Sequence, residues 1–199
     1  MKRVKDTCTE SALSLADNAG GSQWRRRLFS LVQGQRVLEV GVGSGRNIPH
    51  YPTGPQFWAI DVDRDRLEKA REEAHKRSLT VHFMQMDVEA LAFPTAFFDC
   101  VVGSLVFCEV NDPVAGLREV ARVCRPGGPI LLLEHMRSRG PMGLGMDFLN
   151  LFTSRLLGEN INRRTLENVQ RAGIGVDKVE NLWLNVVKLI IGRVEHPNP

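Results

Sequence analysis

"RVLEVGVGSGRNIPHYP", residues 36–52, decides the fold of this chain. Its opening, Arg36 to Val40, is apolar except for Arg36 and Glu39 and reads as a strand buried in a sheet. Gly41, Gly43 and Gly45 then follow at every second position. Glycines between a strand and a helix let a ligand lie close against the main chain. That ligand is a nucleotide, and two nucleotide chemistries use similar loops. In the dinucleotide fingerprint Gly-x-Gly-x-x-Gly, a helix start and its amides face a pyrophosphate. Here the third glycine comes one residue early, and Arg46 stands where that fingerprint needs Gly or Ala. Glu39, inside the strand, suits a cation better than a phosphate.

Outward from the loop, "QFWAI" (56–60) reads as a second strand, and Asp61 follows it, 61 − 41 = 20 residues past the first glycine. At that spacing a carboxylate accepts hydrogen bonds from ribose hydroxyls. Asp87 follows a third strand, "VHFMQM" (81–86). Each aspartate alone is also explained by helix capping or turn chemistry. Taken together, one ribose, a cationic group near Glu39 and no pyrophosphate describe S-adenosylmethionine.

The remaining pattern alternates. Gln23–Val32 reads as a short amphipathic helix and residues 63–78 as a charged one with Leu67, Ala70 and Ala74 inward. "FDCVVGSLVF" (98–107) is a fourth strand. Residues 112–124 are a helix capped by Asp112, entered by Pro113 and ended by Pro126-Gly127-Gly128. "PILLLEH" (129–135) is a fifth strand and 163–173 another helix. Two closing strands, 174–182 and 184–193, reverse tightly near Trp183. Strands alternating with helices predict an α/β fold: a doubly wound, mostly parallel, Rossmann-like sheet with one antiparallel strand inserted near its edge.

The length, 199 residues with 43% apolar and 25% charged, fits one domain over 23–199 preceded by an arm over 1–22. A net charge of +3, scattered along the chain, argues against a nucleic-acid partner. Arg25-Arg26-Arg27, beside Trp24 and Phe29, reads either as a solvated helix face or as a peripheral contact with an anionic membrane. No apolar run is long enough to span a bilayer and no secretory leader is visible, so a cytoplasmic location is expected. Cys8, Cys100, Cys108 and Cys124 lack ligand spacing, and no metal is expected. The oligomeric state is left open.

These motifs resemble the class I S-adenosylmethionine-dependent methyltransferases over roughly residues 23–193. "VLEVGVGSG" is similar to their first motif, and the block from Met84 to His135 to their middle region. The likeness is strongest to the ubiquinone/menaquinone-biosynthesis type and the soluble bacterial phosphatidylethanolamine N-methyltransferases. It implies a seven-stranded sheet. It also implies that Glu39, Gly41, Gly43 and Gly45 line the methionine end of the cofactor and that Asp61 takes the ribose hydroxyls, with Val62 beside the adenine. Asp87 and Val88 would meet the adenine edge and ring, and Ser104, Leu105 and Val106 would flank the methyl group. The chain departs from its relatives in one respect. They begin with a tyrosine-containing segment that folds over the cofactor, whereas Tyr51 is the only tyrosine here.

Methyl transfer is an in-line displacement at an already activated carbon, so positioning and a dry pocket suffice. A base is needed only for an acceptor that must lose a proton. His135, at the end of the fifth strand, is the candidate base; a structural histidine bonded to a carbonyl is the alternative. Cys108 and Glu109 are further candidates for facing the acceptor. "GPMGLGMDFLNLFTSRLL" (140–157) either receives a small hydrophobic or lipid-like acceptor or packs as an extra helix, and "GENINRRT" (158–165) either contacts the acceptor or caps the next helix. Two rival functions stay on the page: a cofactor-binding module without turnover, and an NAD-dependent oxidoreductase.

Overall fold

A computed structural model describes residues 20–135, 165–183 and 187–194. Residues 1–19 of the expected arm, the apolar segment at 140–157, most of the Asn- and Arg-rich stretch (158–164) and residues 184–186 lie outside these residues. Seven strands form one sheet in the order β3-β2-β1-β4-β5-β7-β6. They are β1 (Arg36–Val40), β2 (Gln56–Asp61), β3 (Val81–Gln85), β4 (Cys100–Ser104), β5 (Pro129–His135), β6 (Ile174–Trp183) and β7 (Val187–Val194). Strands β1 to β5 pair in parallel, and β7 runs antiparallel to both β5 and β6. The single inserted antiparallel strand is the one expected.

Helices α1 (Ser22–Phe29), α2 (Arg64–Lys76), α3 (Pro113–Val123) and α4 (Thr165–Arg171) cover the sheet. Alternate residues of each strand serve opposite faces. Val37, Phe57, Ala59, Val102, Leu131 and Leu133 pack with Leu28 and Phe29 of α1 and Leu67, Ala70 and Ala74 of α2. Leu38, Val40, Ile60, Val101, Ile130 and Leu132 pack with Leu117, Val120 and Val123 of α3 and Val169 of α4. Two-sided burial explains why β1, β4 and β5 read as largely apolar runs.

Local chemistry sets the helix limits. Asp63 and Asp112 accept backbone N–H groups at the starts of α2 and α3, at 2.8–3.1 Å. Asp99 does similar work at the foot of the sheet, accepting the N–H groups of Gln35 and Arg36 and pairing with Arg125. Those donors and cations hold its carboxyl below the usual range despite the opposing effect of burial.

Several element lengths differ from the pattern-based reading. The fourth strand is Cys100–Ser104 rather than 98–107, because Leu105 turns to φ 58° and Phe98 makes only an isolated bridge to Cys124. Helix α1 stops at Phe29, short of Leu31 and Val32. It turns Trp24, Arg25, Leu28 and Phe29 inward, so the membrane reading keeps only Arg26 and Arg27 outside, and Arg27 pairs with Glu180 of β6 at 2.7 Å. Helix α4 is Thr165–Arg171, within the expected 163–173. No helix among the described residues is long and apolar enough to cross a membrane.

Both borders of the sheet are guarded. On the short β3, the Phe83 carbonyl accepts from Arg71 at 3.0 Å. On β6, Asp177 and Glu180 hold Arg193, Lys178 and Arg27, and the pairing with β7 shifts register twice.

Leu117 is fully buried between α3 and the sheet. Leu117→Ala is expected to cost about 2–5 kcal/mol. Urea denaturation should show a lower midpoint with an unchanged slope.

Candidate cofactor site

Parallel strands in register end together, and the ends of β1, β2, β3 and β4 form one rim. A cavity of about 390 Å³ opens there, within the range of small-molecule pockets. Its lining includes Gly41, Gly43, Asp61, Val62, Asp87, Val88, Ser104 and Leu105, eight of the residues singled out in the sequence. Glu39 and Gly45 are not on its wall.

Each glycine of the loop has its own reason. A Cβ on Gly41 would lie 2.5 Å from Val106. Gly45, at φ 85°, lets α2 approach: a Cβ there would lie 2.9 Å from the Ala70 backbone. Gly43, at φ 54°, would direct a Cβ into open space beside the cavity. The bare backbone therefore leaves open space at Gly43 and permits the packing of the loop at Gly41 and Gly45.

Asp61 is buried, and its two oxygens accept the N–H groups of Gly43 at 2.8 Å and Asp63 at 2.9 Å. A carboxylate oxygen has lone pairs enough for a further donor. Asp87 accepts the Glu89 N–H through one oxygen, the turn chemistry its sequence context also allowed. Val62 is 61% exposed, an apolar side chain left bare on the cavity wall.

Glu39 sits below the loop and is fully buried. One oxygen accepts from Asn47 Nδ2 at 2.5 Å and the other from the Tyr51 hydroxyl. Burial raises its carboxyl to about 7, and the Tyr51 and Asn47 hydrogen bonds and Arg25 hold it from going higher. Tyr51 lies over Phe57, ring centroids 3.8 Å apart.

The turn after β4 is fixed from beneath. The Leu105 N–H donates to the Leu133 carbonyl at 2.7 Å, and Glu134 accepts the N–H groups of Val106 and Phe107. Glu134 is fully buried and faces away from the side served by Leu131 and Leu133. The backbone of His135 ends β5, opposite Val187.

Pattern reading missed Arg25, Asn47, Tyr51 and Glu134. Arg25 had a signal: it falls on the inward stripe of α1, four residues before Phe29. Asn47 and Tyr51 lie in irregular chain, where no periodicity marks a buried side chain.

The cavity wall carries five carboxylates (Asp61, Asp63, Asp87, Glu89 and Glu109) and three guanidinium groups (Arg25, Arg46 and Arg66). A chain of net charge +3 thus presents an acid-rich pocket. That balance fits a cationic nucleoside and opposes a pyrophosphate.

Comparison with known proteins agrees. Residues 38–132 match the methyltransferase domain family. Over that stretch the chain is similar to the class I S-adenosylmethionine-dependent methyltransferases. It is 38% identical over 123 residues to the phosphatidylethanolamine N-methyltransferase of Cereibacter sphaeroides, a match covering 59% of this chain and 61% of that relative. It is 25% identical over 204 residues to the ubiquinone/menaquinone biosynthesis C-methyltransferase UbiE of Cupriavidus pinatubonensis, covering 88% of this chain and 84% of the relative. Its fold is shared with the [4+2]-cyclase SpnF at a TM-score of 0.73 and 19% identity, covering 87% of this chain and 80% of the cyclase. The cofactor of the family is S-adenosylmethionine; the fold alone does not fix the chemistry.

The glycine loop makes a paired prediction. Gly45→Ala should lower the thermal midpoint through its clash with Ala70. Gly43→Ala should leave folding less affected and weaken cofactor binding. Thermal denaturation and calorimetric titration of the same two proteins check both.

Proposed function

We propose that this methyltransferase moves the methyl group of S-adenosylmethionine to a small hydrophobic or lipid-like acceptor. The observation that carries the proposal is the acid-rich cavity under Gly43, with bare apolar surface at Val62. When bound, the cofactor supplies an electrophilic methyl group on a positively charged sulfur. The chain supplies the rest. Asp61 receives the ribose hydroxyls, Val62 and Val88 hold the adenine faces, and Asp87 meets its amino edge. Gly41 and Gly43 face the methionine portion, and Arg25, a buried cation of the wall, answers its carboxylate. Glu39 acts on the same end from beneath through Asn47, and Gly45 contributes by letting the loop seat on α2.

Ser104 and Leu105 flank the methyl group on a turn that Glu134 holds rigid. Leu105, Val106, Cys108 and Val110 give that side of the cavity an apolar wall. An apolar wall admits an acceptor carrying a hydrocarbon portion and keeps water from the displacement. The names of the relatives, one a phospholipid N-methyltransferase and one a quinone C-methyltransferase, support an acceptor of this class. Where the acceptor must lose a proton, His135 is the proposed base.

The test is transfer of isotopically labelled methyl from S-adenosylmethionine to phosphatidylethanolamine vesicles, a demethylated quinol and an alkyl thiol. Label in at least one acceptor is the expected result. Cofactor binding without transfer to any of them would favour a binding module, and preference for NADH an oxidoreductase. Asp61→Ala is expected to weaken binding of S-adenosylmethionine by about 10- to 100-fold, as loss of hydrogen bonds to a charged group implies. Unchanged affinity would remove the ribose assignment.

A further inference from the structure

We infer that Tyr51 is a positioning residue for the cofactor: with Asn47 it keeps Glu39 available as a carboxylate beneath the glycine loop, so that cofactor binding drives a proton off Glu39. This rests on the assignment of the cavity to S-adenosylmethionine and concerns how that site is charged.

The geometry isolates Glu39 from solvent and from all but a few groups. Its flanking positions on β2 and β4 are Ala59 and Val102, neither of them polar. Arg25 faces it from α1, Asp61 from the end of β2, Asn47 from the loop and Tyr51 from the turn after Ile48–His50. Asn47 and Tyr51 each donate to a different oxygen. A carboxylate in apolar surroundings takes up a proton unless donors and cations oppose it. Here burial raises Glu39 to about 7, with Tyr51, Asn47 and Arg25 lowering it and Asp61 raising it. The Tyr51 hydroxyl is itself pushed well above its ordinary value by burial and by Glu39, so it stays a donor throughout the working range.

Packing does not account for that hydroxyl. The Tyr51 ring already stacks on Phe57 and tilts against Phe29, contacts a phenylalanine would make equally well. What the hydroxyl adds is stabilisation of one protonation state of one buried acid. Around neutral pH the free protein divides between protonated and ionised Glu39. A ligand with a sulfonium and an ammonium favours the ionised form. Binding therefore releases a proton, and affinity rises with pH through about 7, until the ligand's own amino group begins to lose its proton.

The sign for folding is opposite. A carboxyl raised in the fold holds its proton where the unfolded chain has lost it. Its contribution to the stability of the free protein is full below the ordinary Glu value and declines as pH rises through about 7.

The experiment is calorimetric titration of the full chain with S-adenosylmethionine at pH 6.5, below the range of the ligand's own amino group. Two buffers of different ionisation enthalpy are used, for wild type and Tyr51→Phe, with affinities repeated at pH 8.5. Wild type should release a measurable fraction of a proton at pH 6.5. Tyr51→Phe should bind about tenfold more weakly at pH 6.5 and within about twofold of wild type at pH 8.5, the pattern of an acid shifted upward by about one unit. No proton release in wild type overturns the inference whether or not the variant folds. A deficit equal at both pH values, or none, also overturns it. Wild type that binds no S-adenosylmethionine at any pH overturns the cofactor assignment itself; binding without proton linkage leaves that assignment standing and removes only the role of Tyr51.

Discussion

The in-register pairing of β1 between β2 and β4 is the constraint on which the rest depends. Val40 lies level with Ile60 on one side and Gly103 on the other, so all three strands finish at the same height. Only then do the glycine loop, Asp61 and Ser104 meet around one space. A slip of one residue in any of them would turn Glu39 or Asp61 to the wrong face and move an apolar neighbour into the cavity. The two apolar layers set that register, because Val37, Leu38 and Val40 of β1 are each committed to one or the other.

Electrostatics then refine what the strands assemble. The pocket gathers more acids than bases in a chain whose overall charge is positive, and the fully buried Glu39 beside it is given hydrogen-bond donors that oppose the effect of burial. Asp61 accepts the Gly43 N–H from the very loop it closes on, so it orders the glycines as well as lining the cavity. The same group thus serves fold and site, and mutating it reads out both.

Much of this was legible in the residues. The loop, the two acids at successive strand ends and the α/β alternation follow from spacing alone, because parallel strands buried on both faces leave a strong apolar signature. The single antiparallel strand was readable from the little room left near Trp183 between the two closing strands. Strand and helix ends were less so: Leu105 adopts a left-handed turn that its side chain does not advertise, and only Glu134 and Leu133 beneath it explain why. Asn47 and Tyr51 were within the quoted stretch, but their target is an acid 8 and 12 residues earlier, a long-range pairing across irregular chain that no local pattern reveals. Arg25 belonged to a run that read as surface, and the rotation of a short helix turned it inward.

The guarded borders of the sheet carry a consequence of their own. Fibril growth copies a flat, uncharged edge by adding one strand after another. On β6 two register shifts and alternating charges interrupt the template, and on β3 an arginine already occupies a carbonyl that an incoming strand would seek. Self-templated polymerisation from the native state is thus discouraged at either end of the sheet.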